Sequence, residues 1–237
     1  MPKAVGSDAA GDTLRVAFRN DAVDTSMLVT VSEPTGRALI GVSDDAENLI
    51  IVVPGANHAL SIDHIDAAAA LLANAKVVLV QLEVRLAVVQ RAVELAGRDT
   101  IVVLNPAPAS ELPDDVLRHV DVITPNEHEA ALLGGAAALV ARGVPNVVVT
   151  QGARGALLVT RDGETRIEPF LVTPVDTTGA GDAFCGVLSA RLAVAGGLAG
   201  LPLALRAAAV AGALTTQTAG AVPSLPVWAQ VAKVLQQ

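Results

Sequence analysis

The residues best suited to chemistry lie together in the run Asp-Thr-Thr-Gly-Ala-Gly-Asp-Ala-Phe at positions 176–184. Gly179 and Gly181 precede Asp182 and a long apolar stretch, a pattern that predicts a helix with Asp182 in its first turn. The first turn of a helix has amides without backbone partners, and glycines let an anion approach those amides closely. Because Asp182 is itself negative, we interpret its carboxylate as a general base that faces a hydroxyl. The run therefore indicates phosphoryl transfer.

Taken alone, a Gly-x-Gly-Asp sequence is also typical of an ordinary turn at the start of a helix. The whole run, however, resembles the second signature of the ribokinase-like carbohydrate kinases, DTxGAGDxF, and residues 176–184 match it throughout. The resemblance implies that Asp182 contacts the sugar and takes the proton from its hydroxyl group. It also implies that the amides around Gly179, Ala180 and Gly181 form the anion hole for the phosphate that moves.

Other phosphate-binding motifs are absent from the sequence. No Gly-Lys-Ser or Gly-Lys-Thr occurs, and the chain has only three lysines, which excludes a P-loop enzyme. Phe184 stands where a dinucleotide-binding fingerprint needs its third glycine, so that fingerprint is absent as well.

A second motif, Thr-Pro-Asn-Glu-His-Glu at 124–129, stands where a predicted strand ends and a helix begins. A well-capped helix, with Asn126 as its N-cap and Glu129 in its first turn, would account for this pattern by itself. The family has an Asn-x-x-Glu motif here. The resemblance implies that Asn126 and Glu129 order Mg²⁺ and the phosphates of ATP, with Glu129 acting on the metal through water.

The third motif combines Thr150, Gly152 and Gly155, with Arg154 between the two glycines. It resembles the family's loop at a strand end that surrounds the phosphates of ATP. A glycine-rich turn leading into a hairpin is the alternative interpretation.

A site for a monovalent cation is implied by the resemblance only. The family has a potassium loop near its anion hole, and its positions correspond here to Asp176, the carbonyl of Thr178, Thr215, Thr218, Gly220 and Ser224.

Three further segments, at 53–57, 81–83 and 104–109, resemble the members of the family that act on ribose rather than on adenosine or fructose. The resemblance implies that Glu83 contacts the sugar and that Ala38 and Ile40 belong to a flap that closes over it. The implied reaction is ATP-dependent phosphorylation of D-ribose to D-ribose 5-phosphate. A related pentose or a ketohexose remains an alternative acceptor.

The composition sets limits on the class of protein. Of 237 residues, 52% are apolar and 17% charged, which excludes a disordered or fibrous chain and allows one sizeable α/β core. The net charge of −8 and the four aromatic residues argue against a nucleic-acid partner. The resemblance implies a small-molecule sugar and ATP as partners.

The single cysteine, Cys185, cannot form an intramolecular disulfide, and on an apolar helix it is expected to be a small buried residue. We expect no membrane span, because the apolar stretch at 192–205 is short and contains Pro202. The N-terminus shows no export signal. These features favour a cytoplasmic protein.

The elements that must position these residues alternate between strands and helices. Strands are predicted at 50–53, 77–80, 101–104, 122–124 and 147–150, and helices at 61–73, 84–96, 127–142, 179–195, 203–217 and 227–236. Continuous apolar strands that alternate with helices predict an α/β fold of the ribokinase-like type, with a mostly parallel sheet covered by helices on both faces. Ligands bind beyond the carboxyl ends of such strands, where the motifs stand.

Residues 27–53 differ from this pattern. Met27–Val31 and Ala38–Val42 are predicted to form a small, partial antiparallel flap around Glu33–Gly36, and a hairpin is predicted around Asp162 and Gly163. We expect a single ribokinase-like domain over residues 1–237 that contains this flap.

The resemblance begins partway into the family's pattern. Residues 6–11 resemble the segment after the family's first strand, and the sugar-binding Asn and Asp of that strand and the GGKGAN motif have no counterparts here. A chain with complete phosphate-binding motifs and a depleted sugar-binding half is expected to bind nucleotide better than it turns over ribose. The alternative to an active kinase is therefore a nucleotide-binding protein with impaired catalysis. A homodimer is also consistent with the resemblance, because the flap often pairs between subunits in this family.

Overall fold

The computed structural model describes residues 3–42 and 48–236, apart from the side chains of residues 40, 42 and 48–50. The chain forms two compact units, Met1–Leu72 with Glu83–Leu95 and Ala73–Leu82 with Ala96–Gln237. The strands are β1 (Lys3–Gly6), β2 (Leu28–Val31), β3 (Arg37–Val42), β4 (Asn48–Val53), β5 (Val77–Gln81), β6 (Ile101–Asn105), β7 (Val122–Ile123), β8 (Asn146–Thr150), β9 (Ala156–Thr160) and β10 (Gly163–Ile167). The helices are α1 (Ala9–Asn20), α2 (Ala56–Ala59), α3 (Ile62–Asp66), α4 (Ala69–Ala73), α5 (Leu86–Glu94), α6 (Asp114–Leu117), α7 (Glu127–Leu132), α8 (Ala136–Ala141), α9 (Ala180–Ala195), α10 (Leu201–Thr215) and α11 (Trp228–Leu235). The single domain expected over residues 1–237 stays a prediction.

A six-stranded sheet forms the centre of the second unit, in the order β10-β9-β8-β7-β6-β5. Strands β5 to β8 are parallel, and β9 and β10 complete the sheet as an antiparallel pair. The central strands consist of β-branched residues because both of their faces are covered, and Val103, Val122 and Val148 have no exposed surface. The predicted α/β fold with a mostly parallel sheet is confirmed.

Helices α9 and α10 pack against one another and, with the sheet, enclose the main core of this unit. Leu188, Leu192 and Leu205 are fully buried there. Within the part of the chain that the structure describes, one helical stretch, Leu198–Thr215, is long and apolar enough to cross a membrane. Because Leu201, Leu205 and Ala208 of this stretch are buried in this core, we interpret it as a core helix.

Two predicted helices are each divided in the structure. The helix expected at 127–142 becomes α7 and α8, because Gly134 and Gly135 between them have φ angles of 91° and 94°, outside the right-handed helical region. The helix expected at 61–73 becomes α3 and α4, and no glycine or proline marks this second break. Ser61 caps α3, as its position in the sequence predicts.

The first unit contains two separate pairs of strands, β1 with β2 in parallel and β3 with β4 antiparallel. The expectation that Met27–Val31 would pair with Ala38–Val42 is therefore wrong, and the run at 50–53 is the partner of β3 rather than a strand of the parallel sheet. All four residues of β2 pair with β1, so β2 is not available to β3. The side chain of Thr35 then accepts a hydrogen bond from the amide of Gly6 at the end of β1, in the connection before β3 begins.

Asp8 joins β1, α1 and the segment before β3 in the first unit. Its carboxylate accepts hydrogen bonds from the amides of Gly11 (2.8 Å) and Thr35 (3.0 Å) and from the Thr35 hydroxyl (2.6 Å). The Thr35 hydroxyl, these two amides and, to a smaller extent, Arg37 stabilise the ionised form, so the pKa of Asp8 falls from 3.8 to about 2.

This low pKa predicts how acid affects stability. Because the pKa in the folded chain lies below its value in the unfolded chain, the contribution of Asp8 is complete above about pH 4 and is lost as the pH falls towards about 2. We expect urea unfolding to show that Asp8→Asn is less stable than the wild type near neutral pH, by a margin that shrinks in acid. A margin that stays constant down to about pH 2 would contradict this assignment.

Candidate active site

The start of α9 has backbone amides that are open to an anion. Gly179, the N-cap, adopts a left-handed conformation (φ 81°, ψ −4°) and provides no side-chain cap. The amide of Ala180 donates to the carbonyl of Thr177 at 3.3 Å. Those of Gly179, Gly181 and Asp182 donate to none of the described residues. These free amides can therefore donate hydrogen bonds to the oxygens of a phosphate.

Asp182 lies exposed in the first turn of α9, and no described residue forms a hydrogen bond with its carboxylate. It is one helical turn before the buried Cys185, and the charges of Asp182 and Glu129 both contribute to raising the pKa of that thiol. The carboxylates at the starts of α9 and α7 therefore lie near the same buried sulfur.

A cavity of about 290 Å³ opens beside the free amides, within the second unit. Apolar side chains such as Phe170, Leu171 and Phe184 form part of its wall, and Gly181 and Gly152 contribute backbone. A pocket with apolar walls and exposed amides fits a planar base linked to phosphates. The remaining lining residues are Thr150, Ala153, Gly155, Pro169, Val172, Pro174, Thr177, Ala180, Ala209, Gly212, Ala213 and Thr216.

Asn126 and Glu129 form a reciprocal capping box at the start of α7. The Asn126 side chain accepts from the amide of Glu129, and the Glu129 carboxylate accepts from the amide of Asn126, each at 2.8 Å. Burial raises the pKa of Glu129. The well-capped helix, which was the alternative interpretation of this motif, is thus present. The second carboxylate oxygen of Glu129 takes no part in the capping box.

The oxygen atoms available near the start of α7 decide whether these residues fit the expected magnesium ion. The described residues contain no group of three or more His, Cys, Asp or Glu side chains that could hold a metal. The remaining oxygen of Glu129 fits an ion that keeps most of its water and is bound mainly by phosphates, as Mg²⁺ commonly is.

The loop between β8 and β9 has a backbone that requires glycine. Gly155 has a φ of 85°, and a Cβ there would lie 2.1 Å from the carbonyl oxygen of Ile167. Thr150, Gly152 and Gly155 line the cavity, and their role at the phosphates of ATP stays a prediction. Arg154 does not line it, and its guanidinium pairs with Glu127 at the start of α7.

Asp176 connects the segment before α9 to the segment after α10. Its carboxylate accepts from the amides of Gly220 (2.8 Å) and Thr178 (2.9 Å), and these hydrogen bonds lower its pKa. The proposed potassium positions Asp176, Thr178 and Gly220 are thus brought together. Thr215 is fully buried and donates to Ala211 within α10.

Two other positions proposed for potassium lie in the segment after α10. Ser224 donates through its hydroxyl to the carbonyl of Ala221, and the amide of Thr218 donates to Thr215.

Apart from Asp182, the residues proposed to contact the sugar belong to the first unit. Ala38 pairs with Val52 across β3 and β4 and is exposed, and Glu83 is half-buried directly after β5. The backbone of Ile40 pairs with that of Ile50, and the Ile40 side chain lies outside the described residues. The proposed sugar contacts stay predictions.

Part of the cavity was not predicted from the sequence. The segment at 169–174 and the residues Ala209, Gly212 and Ala213 of α10 line it. Two signals point to them in retrospect: an apolar run bounded by Pro169 and Pro174, and small residues spaced three and four apart on one helix face.

The chain matches the pfkB family of carbohydrate kinases over residues 3–228, and it belongs to this family. It is 35% identical over 247 residues to the bifunctional ribokinase/ribose-5-phosphate isomerase A of Fructilactobacillus sanfranciscensis, covering 98% of this chain and 45% of that protein. It is 40% identical over 197 residues to a ribokinase of Haemophilus influenzae, covering 77% and 64%. It is 37% identical over 201 residues to a deoxyribokinase of Salmonella typhi, covering 78% and 66%. The chain thus spans less than two thirds of the length of each of these relatives.

Solved structures confirm the fold. The ribokinase of Thermotoga maritima superposes with a TM-score of 0.88 at 31% identity, covering 99% of this chain and 80% of that one. The ribokinase of Arabidopsis thaliana, complexed with ribose and ATP, superposes with a TM-score of 0.87 at 27% identity, covering 100% and 81%.

The Gly155 geometry predicts a large loss of stability on substitution. In Gly155→Ala, the new Cβ would collide with the backbone at Ile167, and we expect a loss of at least about 3 kcal/mol in the free energy of unfolding. Gly152→Ala is the matched control, because it also has a positive φ (55°) but meets nothing within 4 Å. It should lose only about 1 kcal/mol in urea unfolding, and equal losses would contradict the steric explanation.

The environment of Cys185 predicts an unreactive thiol. Burial is the main cause that raises its pKa to about 11, and the thiol lies 3.3 Å from the Thr124 hydroxyl. Near pH 8 only about one thiol in a thousand is ionised, and the packing also excludes reagents. We expect iodoacetamide to modify Cys185 in urea-unfolded protein but not in folded protein. Modification of the folded protein at the rate of a free thiol would contradict this placement.

Proposed function

We propose that this protein is an ATP-dependent carbohydrate kinase that phosphorylates D-ribose to D-ribose 5-phosphate. The observation that carries the proposal is the pairing of free amides with the exposed carboxylate of Asp182 at the start of α9, beside an apolar cavity. Membership of the pfkB family and similarity to named ribokinases support the reaction class and the acceptor. Similarity to a deoxyribokinase keeps a related pentose as an alternative acceptor.

The chemistry is a direct transfer. Asp182 accepts the proton of the sugar hydroxyl while the oxygen of that hydroxyl attacks the γ-phosphorus of ATP. The bond between the γ-phosphorus and the oxygen that bridges it to the β-phosphorus breaks, and ADP leaves. The free amides of Gly179, Gly181 and Asp182 donate to the oxygens of the phosphoryl group as it moves.

ATP enters this reaction as its magnesium complex. In the proposal, its base occupies the apolar cavity, and Thr150, Gly152 and Gly155 border its phosphates. Asn126 and Glu129 act on the magnesium-bound phosphates through water. Arg154 would reach the phosphates only after it exchanges its partner Glu127.

The remaining assignments extend the proposal by resemblance. Asp176, kept ionised by its amide donors, would contribute negative charge to a potassium site together with Thr178, Gly220 and the neighbouring positions. Glu83, Ala38 and Ile40 would contact the sugar. We also propose a cytoplasmic location and a homodimer.

Replacement of Asp182 tests the proposal. Asp182→Asn removes the base but keeps the shape of the side chain, so kcat for ribose-dependent ADP release should fall by about 10²- to 10⁴-fold. ATP affinity, measured by isothermal titration, should not fall, because the amides and the cavity remain. A mutant with full activity would place the base elsewhere.

Asp162→Asn provides the matched control, since Asp162 is an exposed carboxylate in the turn between β9 and β10. It should leave kcat and ATP affinity unchanged. D-ribose, 2-deoxy-D-ribose and D-fructose should be compared as acceptors. If ATP binds and none of the three releases ADP, the chain is a nucleotide-binding protein without this activity.

A further inference from the structure

The side-chain hydroxyl and the backbone amide of Thr35 both form hydrogen bonds within the first unit. Its residue surface is only 4% exposed, and it lies in the segment between β2 and β3. Its hydroxyl donates to Asp8 Oδ1 (2.6 Å) and accepts from the amide of Gly6 (2.9 Å), while its own amide donates to Asp8 Oδ2 (3.0 Å). One residue thereby connects the end of β1 and the N-cap of α1 to the segment that leads into β3.

The same segment is held from its other side by the chain that follows β4. The amide of Ala56 donates to the carbonyl of Pro34 at 2.8 Å. A Cβ on Gly55 would lie 2.2 Å from that carbonyl, and a Cβ on Gly36 would lie 2.7 Å from the carbonyl of Pro54. Such close backbone approaches leave no room for a side chain at Gly36 or Gly55. The segment between β2 and β3 is therefore fixed between the end of β1 on one side and the chain that follows β4 on the other.

We call the paired strands β3 and β4 the β3–β4 ribbon. Its first residue pair, Arg37 with Val53, directly follows the segment that Thr35 holds. Beyond this base the described apolar side chains do not form a core, because Leu39 and Ile51 are 60% and 55% exposed. The contacts at the base therefore set the direction in which the ribbon leaves the rest of the first unit.

We propose that Thr35, acting through Asp8, is a positioning residue that fixes the base of the β3–β4 ribbon and thereby determines affinity for the sugar. This inference rests on the proposed function, in which Ala38 and Ile40 of the ribbon contact the sugar. The residues proposed for ATP lie in the second unit, so the effect of Thr35 should be confined to the acceptor.

Thr35→Val tests the role, because valine has nearly the same shape and keeps the amide that donates to Asp8, but its side chain can neither donate to Asp8 nor accept from Gly6. We expect the KM for ribose to rise about 10- to 100-fold, since small misplacements of a substrate-positioning element have effects of that size. The KM for ATP should change by less than about twofold. Thr35→Ser keeps the hydroxyl and should restore the KM for ribose to within about twofold of the wild type.

Two further variants separate positioning from general damage. Ser32→Ala removes an exposed hydroxyl from the same connection and should change neither KM. Asp8→Asn should raise the KM for ribose in the same direction as Thr35→Val, and it provides the test if the valine variant does not fold. Thermal unfolding of each variant establishes that it is folded at the assay temperature.

Hydrogen–deuterium exchange provides a readout that does not require activity. Amides of β3 and β4 should exchange faster in Thr35→Val than in the wild type or in Thr35→Ser. A wild-type chain with no ribose-dependent ADP release would contradict the proposed function, whereas exchange would still report on the ribbon. The positioning role is overturned if ribbon exchange is unchanged, if both KM values rise together, or if the serine variant behaves like the valine variant.

Discussion

The unpartnered amides at the start of α9 are the constraint on which the rest of the site depends. A side chain that capped this helix would consume the donors that a phosphate needs. Gly179 avoids this, because it has no side chain and adopts a left-handed conformation at the N-cap. The start of α7 is the opposite case: there Asn126 and Glu129 satisfy one another's amides. Side chains thus occupy the amides of Asn126 and Glu129 at α7, whereas the amides of Gly179, Gly181 and Asp182 at α9 donate to none of the described residues.

Because no side chain caps the start of α9, other contacts must fix the position of the chain that precedes it. Asp176 does this, because its carboxylate accepts from the amides of Thr178 and Gly220, and the amides of Val175 and Asp176 donate to the carbonyl of Thr216. Two aspartates of one nine-residue motif thus differ in role. The pKa of Asp176 is lowered by amide donors, which makes it a fixed structural charge. Asp182 has no such donor among the described residues and remains available to a substrate hydroxyl.

Features that follow from local patterns could be predicted from the sequence. The parallel strands β5 to β8, the hairpin at Gly163 and the glycine-rich start of α9 each rest on neighbouring residues, and the structure has them where expected. The pairing of β2 could not be predicted in this way, because its partner β1 lies far from it in the sequence, beyond the whole of α1.

The apolar half of the cavity was missed for the same reason. It is made by a segment after β10 and by one face of α10, and no short motif contains both. The motifs identified the polar chemistry of the site, whereas its apolar surface depends on long-range packing.

The two units differ in the interactions that fix their geometry. The elements of the second unit that are proposed to bind phosphate lie on a large buried core, to which Leu188, Leu192 and Leu205 contribute fully buried side chains. A core of this kind tolerates little displacement. The β3–β4 ribbon of the first unit has exposed apolar side chains and depends on a few hydrogen bonds at its base. In the proposed function, a substitution near that base would change which sugar is accepted while the proposed base, Asp182, stays in place; the chain is similar both to a relative named ribokinase and to one named deoxyribokinase.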